Sequence, residues 1–289
     1  MIGIVDIGSN SVRLLIAEKQ GSDFTEIDRH FKTTRLIEGM QDGMPTPAAC
    51  ERTLATMQEF TRIARSAGCT TVAGFATSAM RDAKNRDELI ARAADFGLAV
   101  ELLSGEDEAR LAYMGCTEEG LAGMIDIGGG STELVTGENG RVLSCACVPV
   151  GAIRLSNNLK GKSPDEILNH AARILEPAWN AVKDSGAANW VGISGTMKAL
   201  KGLEIGNLDR KAISGLPLTR EYTDEIFRRL CAMPFKERLL LPGIDVSRAD
   251  VLHYGAGILA AFFHVSGVDK IKITDGGDNM LGYARLRFA

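Results

Sequence analysis

The sequence has no long apolar run. Its most apolar stretch, Val251 to Val265, is interrupted by His253, Tyr254 and His264, and it falls short of the roughly 20 residues that a membrane-spanning helix needs. The first residues, Met1-Ile2-Gly3-Ile4-Val5-Asp6, include no lysine or arginine, and Asp6 cuts the run before a signal core could form. A cytoplasmic protein without a membrane partner is therefore expected. Histidine is scarce: His30, His170, His253 and His264 are scattered, in neither an H-x-x-x-H nor an H-E-x-x-H pattern. The six cysteines have no regular spacing. They suggest no disulfide framework, and the one close pair, Cys145 and Cys147, lacks the second ligand pair of a zinc site. Positive charge is not in excess either, since 33 Lys and Arg against 37 Asp and Glu leave a net charge of −4. That argues against a nucleic-acid coat, so any polyanion must be held by local groups.

What remains is an ordinary globular composition, 45% hydrophobic and 24% charged. A length of 289 residues, at roughly 150 per domain, predicts two domains. The chain alternates strand-like and helix-like segments, which gives an α/β class. Ile2 to Ala17 reads as a hairpin turning at Gly8-Ser9-Asn10, and Phe24 to Leu36 as a further strand. Helices are expected over Pro45 to Ser66, Asp87 to Phe96 and Glu106 to Met114, with strands at Thr71 to Ala76 and Val100 to Leu103. Beyond the midpoint, Val142 to Val150, Trp190 to Ser194 and Ile271 to Thr274 read as strands. Pro164 to Val182 (with a kink at Pro177), Thr219 to Met233 and Ser247 to Phe263 read as helices. Trp179, Trp190 and His253 read as packing residues.

Residues 5–16, VDIGSNSVRLLI, return at residues 125–136 as IDIGGGSTELVT. The two align without gaps and share Asp, Ile, Gly, Ser and Leu. A repeat of this spacing implies duplicated domains, here placed at 1–123 and 124–289 with a hinge at Gly120 to Gly123.

Four loops of small residues follow strand ends: Asp6 to Ser11 (with Gly8, Ser9 and Asn10), Thr77-Ser78, Asp126 to Glu133 (with Gly128, Gly129, Gly130 and Ser131), and Gly192 to Thr196 (with Ser194 and Gly195). Glycine lets backbone N–H groups approach an anion, and hydroxyls add donors. One such loop is as readily a tight turn; four of them, two related by the repeat, point to phosphate. Asp6 and Asp126 at equivalent points would either cap their turns or hold a hard cation.

DIGSNS near the start, ATSAMRDA at 76–83, SGEDEARL at 104–111, IDIGGGSTEL at 125–134, SGT at 194–196 and Arg248-Ala249-Asp250 together resemble the exopolyphosphatase / guanosine pentaphosphate phosphatase family. That family is of the actin, sugar-kinase and heat-shock-chaperone superfamily. The resemblance implies two duplicated ribonuclease H-like, actin-like domains with an interdomain cleft. It implies release of terminal orthophosphate from inorganic polyphosphate, with guanosine pentaphosphate (pppGpp) as a second substrate, Mg²⁺ (or Mn²⁺) as cofactor, and a homodimer. It makes Glu108 the general base, links Asp126 and Glu133 with the metal and the attacking water, sets Arg81 on phosphate and lines the same cleft with Asp6, Ser9 and Asn10. By its own residues, Glu108 also reads as a helix-surface acid paired with Arg110 or Arg81. Some of Arg29, Lys32, Arg35, Lys84, Arg86, Lys198 and Lys201 are expected to guide the polyanion.

Two departures matter. Gly192-Ile193-Ser194-Gly195-Thr196 stands where the family often has G-T-G-G-T, and Asn279-Met280 stands where its last loop has Arg-Glu. The chain also ends soon after that loop, without the extra helical domains of longer relatives, so shorter polyphosphate is the expected preference. Two rivals differ in kind: a small-molecule kinase of the same fold, against which SGEDEARL argues, and a (p)ppGpp or polyphosphate sensor with little turnover, which the altered last loop favours.

Overall fold

A computed structural model of the chain describes residues 1–21, 23–115, 120–274 and 279–288. The chain divides into two compact units, Met1–Gly115 with Asp278–Ala289, and Cys116–Gly277. The division differs from 1–123 and 124–289 at both ends. The strand beginning at Leu121 pairs from Leu121 onward within the second sheet, so Gly123 lies inside that strand. The C-terminal residues return to the first unit, because their apolar side chains complete its core.

The first unit opens with β1 (Ile2–Ile7), all six residues buried, as expected of a central strand covered on both faces. It pairs antiparallel with β2 (Ser11–Gln20), which pairs with β3 (Asp23–Thr33) at one edge. On its other side β1 runs parallel to β4 (Thr71–Ala76), and β4 to β5 (Ala99–Leu102). Between them lies α1 (Pro47–Ser66), which starts where Thr46 Oγ1 accepts the Ala49 N–H and Pro47 fits the first turn. Then come α2 (Ser78–Asp82), α3 (Arg86–Asp95) and α4 (Gly105–Met114). The short α2 stands where the sequence suggested only a loop at Thr77-Ser78.

The second unit repeats this plan. Strand β6 (Leu121–Ile127) pairs antiparallel with β7 (Thr132–Glu138), and β7 with β8 (Arg141–Val148). Helices α5 (Ala152–Asn158) and α6 (Pro164–Val182) follow, α6 opened by a Ser163–Glu166 capping box and continuous through Pro177. Next are β9 (Asn189–Ile193), parallel to β6, then α7 (Ser194–Ile205), α8 (Arg210–Ile213), β10 (Pro217–Thr219), α9 (Arg220–Ala232) and α10 (Phe235–Arg238). Helix α11 (Leu252–Ser266) precedes β11 (Lys270–Ile273), which lies parallel to β9. Helix α11 starts later than the apolar pattern from Ser247 suggested. Asp245 Oδ1 accepts both the N–H and the hydroxyl of Ser247, holding a turn there instead. Trp179, Trp190 and Phe262 meet ring to ring at 5.1–6.1 Å in this unit's core.

The strand orders are β3-β2-β1-β4-β5 and β10-β11-β9-β6-β7-β8. Read from the β8 edge, the second sheet reproduces the first, with β11 in the place of β5 and β10 added beyond it. This is the duplicated ribonuclease H-like architecture. Among the described residues no helix is long and apolar enough to cross a membrane. The expected loop Asp275-Gly276-Gly277-Asp278 lies outside the described residues.

Helix α12 (Asn279–Phe288) buries Met280, Tyr283 and Ala284 with Leu111 of α4, Phe75 of β4 and Ile4 of β1. Its Gly282 lies so close to α4 that a Cβ there would meet the Leu111 carbonyl oxygen at 2.6 Å. Gly282→Ala should therefore destabilise the first unit by about 1–3 kcal/mol, read as a lower midpoint in chemical denaturation. In the second unit, Arg238 Nη1 donates to His253 Nδ1 at 2.7 Å. Burial, and then the Arg238 charge, pull His253 down to about 3 from its ordinary 6.5. The unfolded chain takes up this proton first, so stability should fall as pH drops from about 6.5 towards about 3. His253→Gln should flatten that part of the stability–pH curve.

Candidate functional site

In the first unit the chain turns from β1 into β2 through Gly8, Ser9 and Asn10. The Gly8 N–H donates to the Ser11 carbonyl at 3.0 Å. The Asn10 carbonyl accepts the N–H groups of Thr34 and Arg35 at 3.0 and 2.8 Å, and the Ser9 carbonyl accepts that of Ile37 at 3.3 Å. In a trans peptide the N–H points opposite to the carbonyl. The N–H groups of Asn10 and Ser11 are therefore turned away from residues 34–37. The turn's side chains are buried and used locally: Ser9 Oγ accepts the Ala79 N–H at 3.1 Å, and Asn10 Nδ2 donates to Ser11 Oγ at 3.0 Å. Thr77 and Ser78 are buried at the start of α2.

Asp6 is 2% exposed and accepts Arg13 Nε at 2.7 Å, and Arg13 Nη2 as well. The two residues are direct cross-strand partners on β1 and β2. On α2, Arg81 donates to Glu108 Oε2 at 2.8 Å and to the Leu103 carbonyl at 3.1 Å. The Glu108 side chain is 12% exposed. It sits in the first turn of α4, whose N-cap Ser104 accepts the Asp107 N–H at 3.0 Å, so Glu106, Asp107 and Glu108 face the positive end of the helix dipole.

The second unit repeats the turn. The Gly128 N–H donates to the Ser131 carbonyl at 2.9 Å. The Gly128 carbonyl accepts the Ala152 N–H at 3.0 Å, and the Gly129 carbonyl those of Ile153 and Arg154 at 2.9 and 3.0 Å. Arg154 Nε donates to the Gly130 carbonyl at 2.6 Å. By the same peptide geometry the N–H groups of Gly129, Gly130 and Ser131 all point away from α5. Successive backbone N–H groups turned to one side are an arrangement that suits an anion without side-chain charge.

At the hinge of this hairpin Asp126 faces Glu133 across β6 and β7, the register at which Asp6 faces Arg13 in the first unit. Opposed residues share one face of a sheet, so this unit sets two carboxylates side by side. Glu133 is 2% exposed, and Cys147 Sγ on β8 donates to its Oε1 at 3.2 Å.

Ser194, Gly195 and Thr196 form the first turn of α7 rather than a separate loop, and α7 aims its N-terminal N–H groups there. Thr196 Oγ1 donates to the Ile127 carbonyl at 2.9 Å, so its hydroxyl ties α7 to the end of β6. Gly195 admits the Arg248 guanidinium, whose Nη2 lies 2.3 Å from where a Cβ would be. Ser194 has φ +95°, a left-handed backbone in which side chains are strained, and its Oγ is buried with no partner among the described residues.

Asp126 and Glu133 fit a hard cation. Oxygen donors suit Mg²⁺, which binds one or two carboxylates and keeps water or substrate phosphate as its other ligands. Among the described residues no group of three or more His, Cys, Asp or Glu side chains is placed to hold a metal ion. Asp6 fits less well, because its carboxylate receives Arg13. Of the expected guiding cations, Arg29, Lys32, Arg35 and Lys201 each pair with a neighbouring glutamate, and Lys201 is buried.

Arg13 and Arg154 were not among the residues singled out by sequence; Arg248 entered only as part of the Arg248-Ala249-Asp250 motif, and Cys147 only as half of the close cysteine pair, without a role at this site. Arg13 stood in the repeat opposite Glu133, a position that could have drawn attention to it. The roles of the others were not legible, because their partners come from different elements.

Comparison with known proteins matches residues 15–278 to the Ppx/GppA phosphatase family. Exopolyphosphatase 2 of Mycobacterium tuberculosis is 30% identical over 302 residues, covering 95% of this chain and 94% of that protein. Exopolyphosphatase 1 of the same organism is 28% identical over 291 residues, covering 94% and 84%. A solved Ppx/GppA enzyme of Aquifex aeolicus, 28% identical, superposes with a TM-score of 0.81 over 99% of both chains.

The strain at Ser194 can be measured. Ser194→Gly should raise the stability of the protein by about 1 kcal/mol, seen as a higher thermal midpoint; an unchanged or lower midpoint would mean that the hydroxyl has a stabilising partner.

Proposed function

The chain belongs to the Ppx/GppA phosphatase family, and on that premise we propose that it hydrolyses the terminal phosphoanhydride bond of inorganic polyphosphate, releasing orthophosphate. Removal of the 5′ γ-phosphate of pppGpp is the same chemistry on a second substrate. One observation supports this reading most directly: the opposed carboxylates Asp126 and Glu133 end the hairpin whose turn directs the N–H groups of Gly129, Gly130 and Ser131 away from α5. Oxygen donors for a cation and N–H donors for an anion adjoin, as phosphoryl transfer requires.

The oxygen of a water attacks the terminal phosphorus, the bridging P–O bond breaks, and its electron pair leaves with the shortened chain. Glu108 takes the proton of that water. Arg81, which holds Glu108 in the structure, moves its guanidinium onto the incoming phosphate. That removes a positive charge from beside Glu108 and makes it the stronger base. The N–H groups of the Gly128–Ser131 turn and of α7 cradle the phosphate oxygens, with Ser194 Oγ as a further donor. Asp126 and Glu133 would hold Mg²⁺ or Mn²⁺, whose charge neutralises the phosphoryl oxygens. Asp6 serves by fixing Arg13.

A second reading rests on the same ion pair: with Arg81 retained on Glu108 the protein would bind polyphosphate or pppGpp as a sensor. The deciding experiment is orthophosphate release with Mg²⁺ from short polyphosphate, long polyphosphate and pppGpp. Glu108→Gln should lower kcat by about 10²–10⁴-fold with little change in KM. A wild type that binds all three substrates but releases no phosphate would establish the sensor instead.

A further inference from the structure

We propose that Cys147 is a positioning residue for Glu133, its thiol orienting the carboxylate that faces Asp126; the inference rests on the role given to Glu133 above. The two residues are direct partners on β7 and β8, and the thiol reaches Glu133 Oε1 at 3.2 Å. Glu133 is 2% exposed. A carboxylate so enclosed has its orientation set by protein contacts, and in a low-dielectric surrounding each donor weighs more than it would in water.

The duplication supplies an internal comparison. In the first unit the equivalent of Glu133 is Arg13. It has Asp6 on one side and Phe31 on the other, and Phe31 offers no hydrogen-bond donor and is 52% exposed. The unit with the ion pair has no side-chain donor at this register position of its third strand. The unit with two opposed carboxylates has one, aimed at the more buried of them. A neutral S–H suits this place. It gives a hydrogen bond to an oxygen without the positive charge that Arg13 brings to Asp6, so the negative charge of the carboxylate pair is kept for a cation. Partners of this kind, one step removed from a ligand, alter metal affinity or activity by about 10–100-fold when lost.

The test compares wild type, Cys147→Ala, Cys147→Ser and Glu133→Gln on a short polyphosphate, with kcat, KM and the half-saturating Mg²⁺ concentration measured for each. Cys147→Ala should lower kcat about tenfold and raise the Mg²⁺ requirement by a similar factor, with KM for polyphosphate within about twofold. Cys147→Ser, which keeps a donor, should recover most of both. A readout free of turnover is a double-mutant cycle in chemical denaturation: Cys147→Ala should lower the midpoint in wild type and have no effect in a Glu133→Ala background. The inference is overturned if Cys147→Ala matches wild type while Glu133→Gln is inactive. It is also overturned if Cys147→Ser is as impaired as Cys147→Ala, since packing and not donation would then be the cause. Full activity in Glu133→Gln would remove the role of Glu133 itself, and the inference with it.

Discussion

The carbonyl oxygens of Gly128 and Gly129 are taken by the N–H groups that open α5, and that of Gly130 by Arg154. Those bonds turn three successive peptides so that their N–H groups point the other way. The first unit does the same to Ser9 and Asn10 with residues 34–37. The candidate phosphate cradle is thus a consequence of where carbonyls are satisfied on the far side of each turn. It explains how a chain with a net charge of −4 can be built to hold a polyanion: the donors are backbone dipoles, fixed by the fold and independent of surface charge. Of the cations expected to guide a polyanion, Arg29, Lys32 and Arg35 are paired with neighbouring glutamates.

From that shared turn the two units diverge at one register position. Asp6 faces Arg13, and the charges cancel within the hairpin. Asp126 faces Glu133, a second carboxylate where the first unit has a guanidinium. Two carboxylates on one face repel and favour either a shared proton or a cation between them. The duplication keeps the scaffold and sets Glu133 where the first unit has Arg13, and with that exchange the local sign changes. The first hairpin pairs its carboxylate with a guanidinium; the second becomes the oxygen-donor end of the proposed site.

The proposed base depends on packing farther along the chain. Glu108 stands on α4, and α4 is pinned by α12, whose Met280 and Tyr283 share a core with Leu111 and Phe75. Tyr283 Oη donates to Glu101, and Arg287 bonds the same carboxylate, holding it below its ordinary range. The last helix of the chain therefore sets the position of an acid some 170 residues earlier in a sequence of 289 residues, through a helix–helix contact close enough that Gly282 touches backbone.

Much of this was legible from local pattern. The β1–β2 hairpin, α1, β4 and α6 follow from apolar periodicity bounded by Gly, Pro and capping residues, which act over a few positions. The repeat at 5–16 and 125–136 disclosed the duplication and brought Asp126, Glu133 and the glycine turn into view together. Short helices α2 and α5 and the first turn of α7 were not legible, because residues such as Thr77-Ser78 and Ser194-Gly195-Thr196 have loop composition and become helical only when a strand end and a packed neighbour hold them. The return of α12 to the first unit, the seat of Arg248 on Gly195, and the pairings Arg13–Asp6, Arg81–Glu108 and Cys147–Glu133 belong to tertiary structure alone. Sequence determined the strands, the turns and the types of chemical group on offer, since those obey short-range sterics and periodicity. Which group meets which was decided by folding, since a hydrogen bond of about 3 Å depends on sheet register and helix docking between residues far apart in the chain.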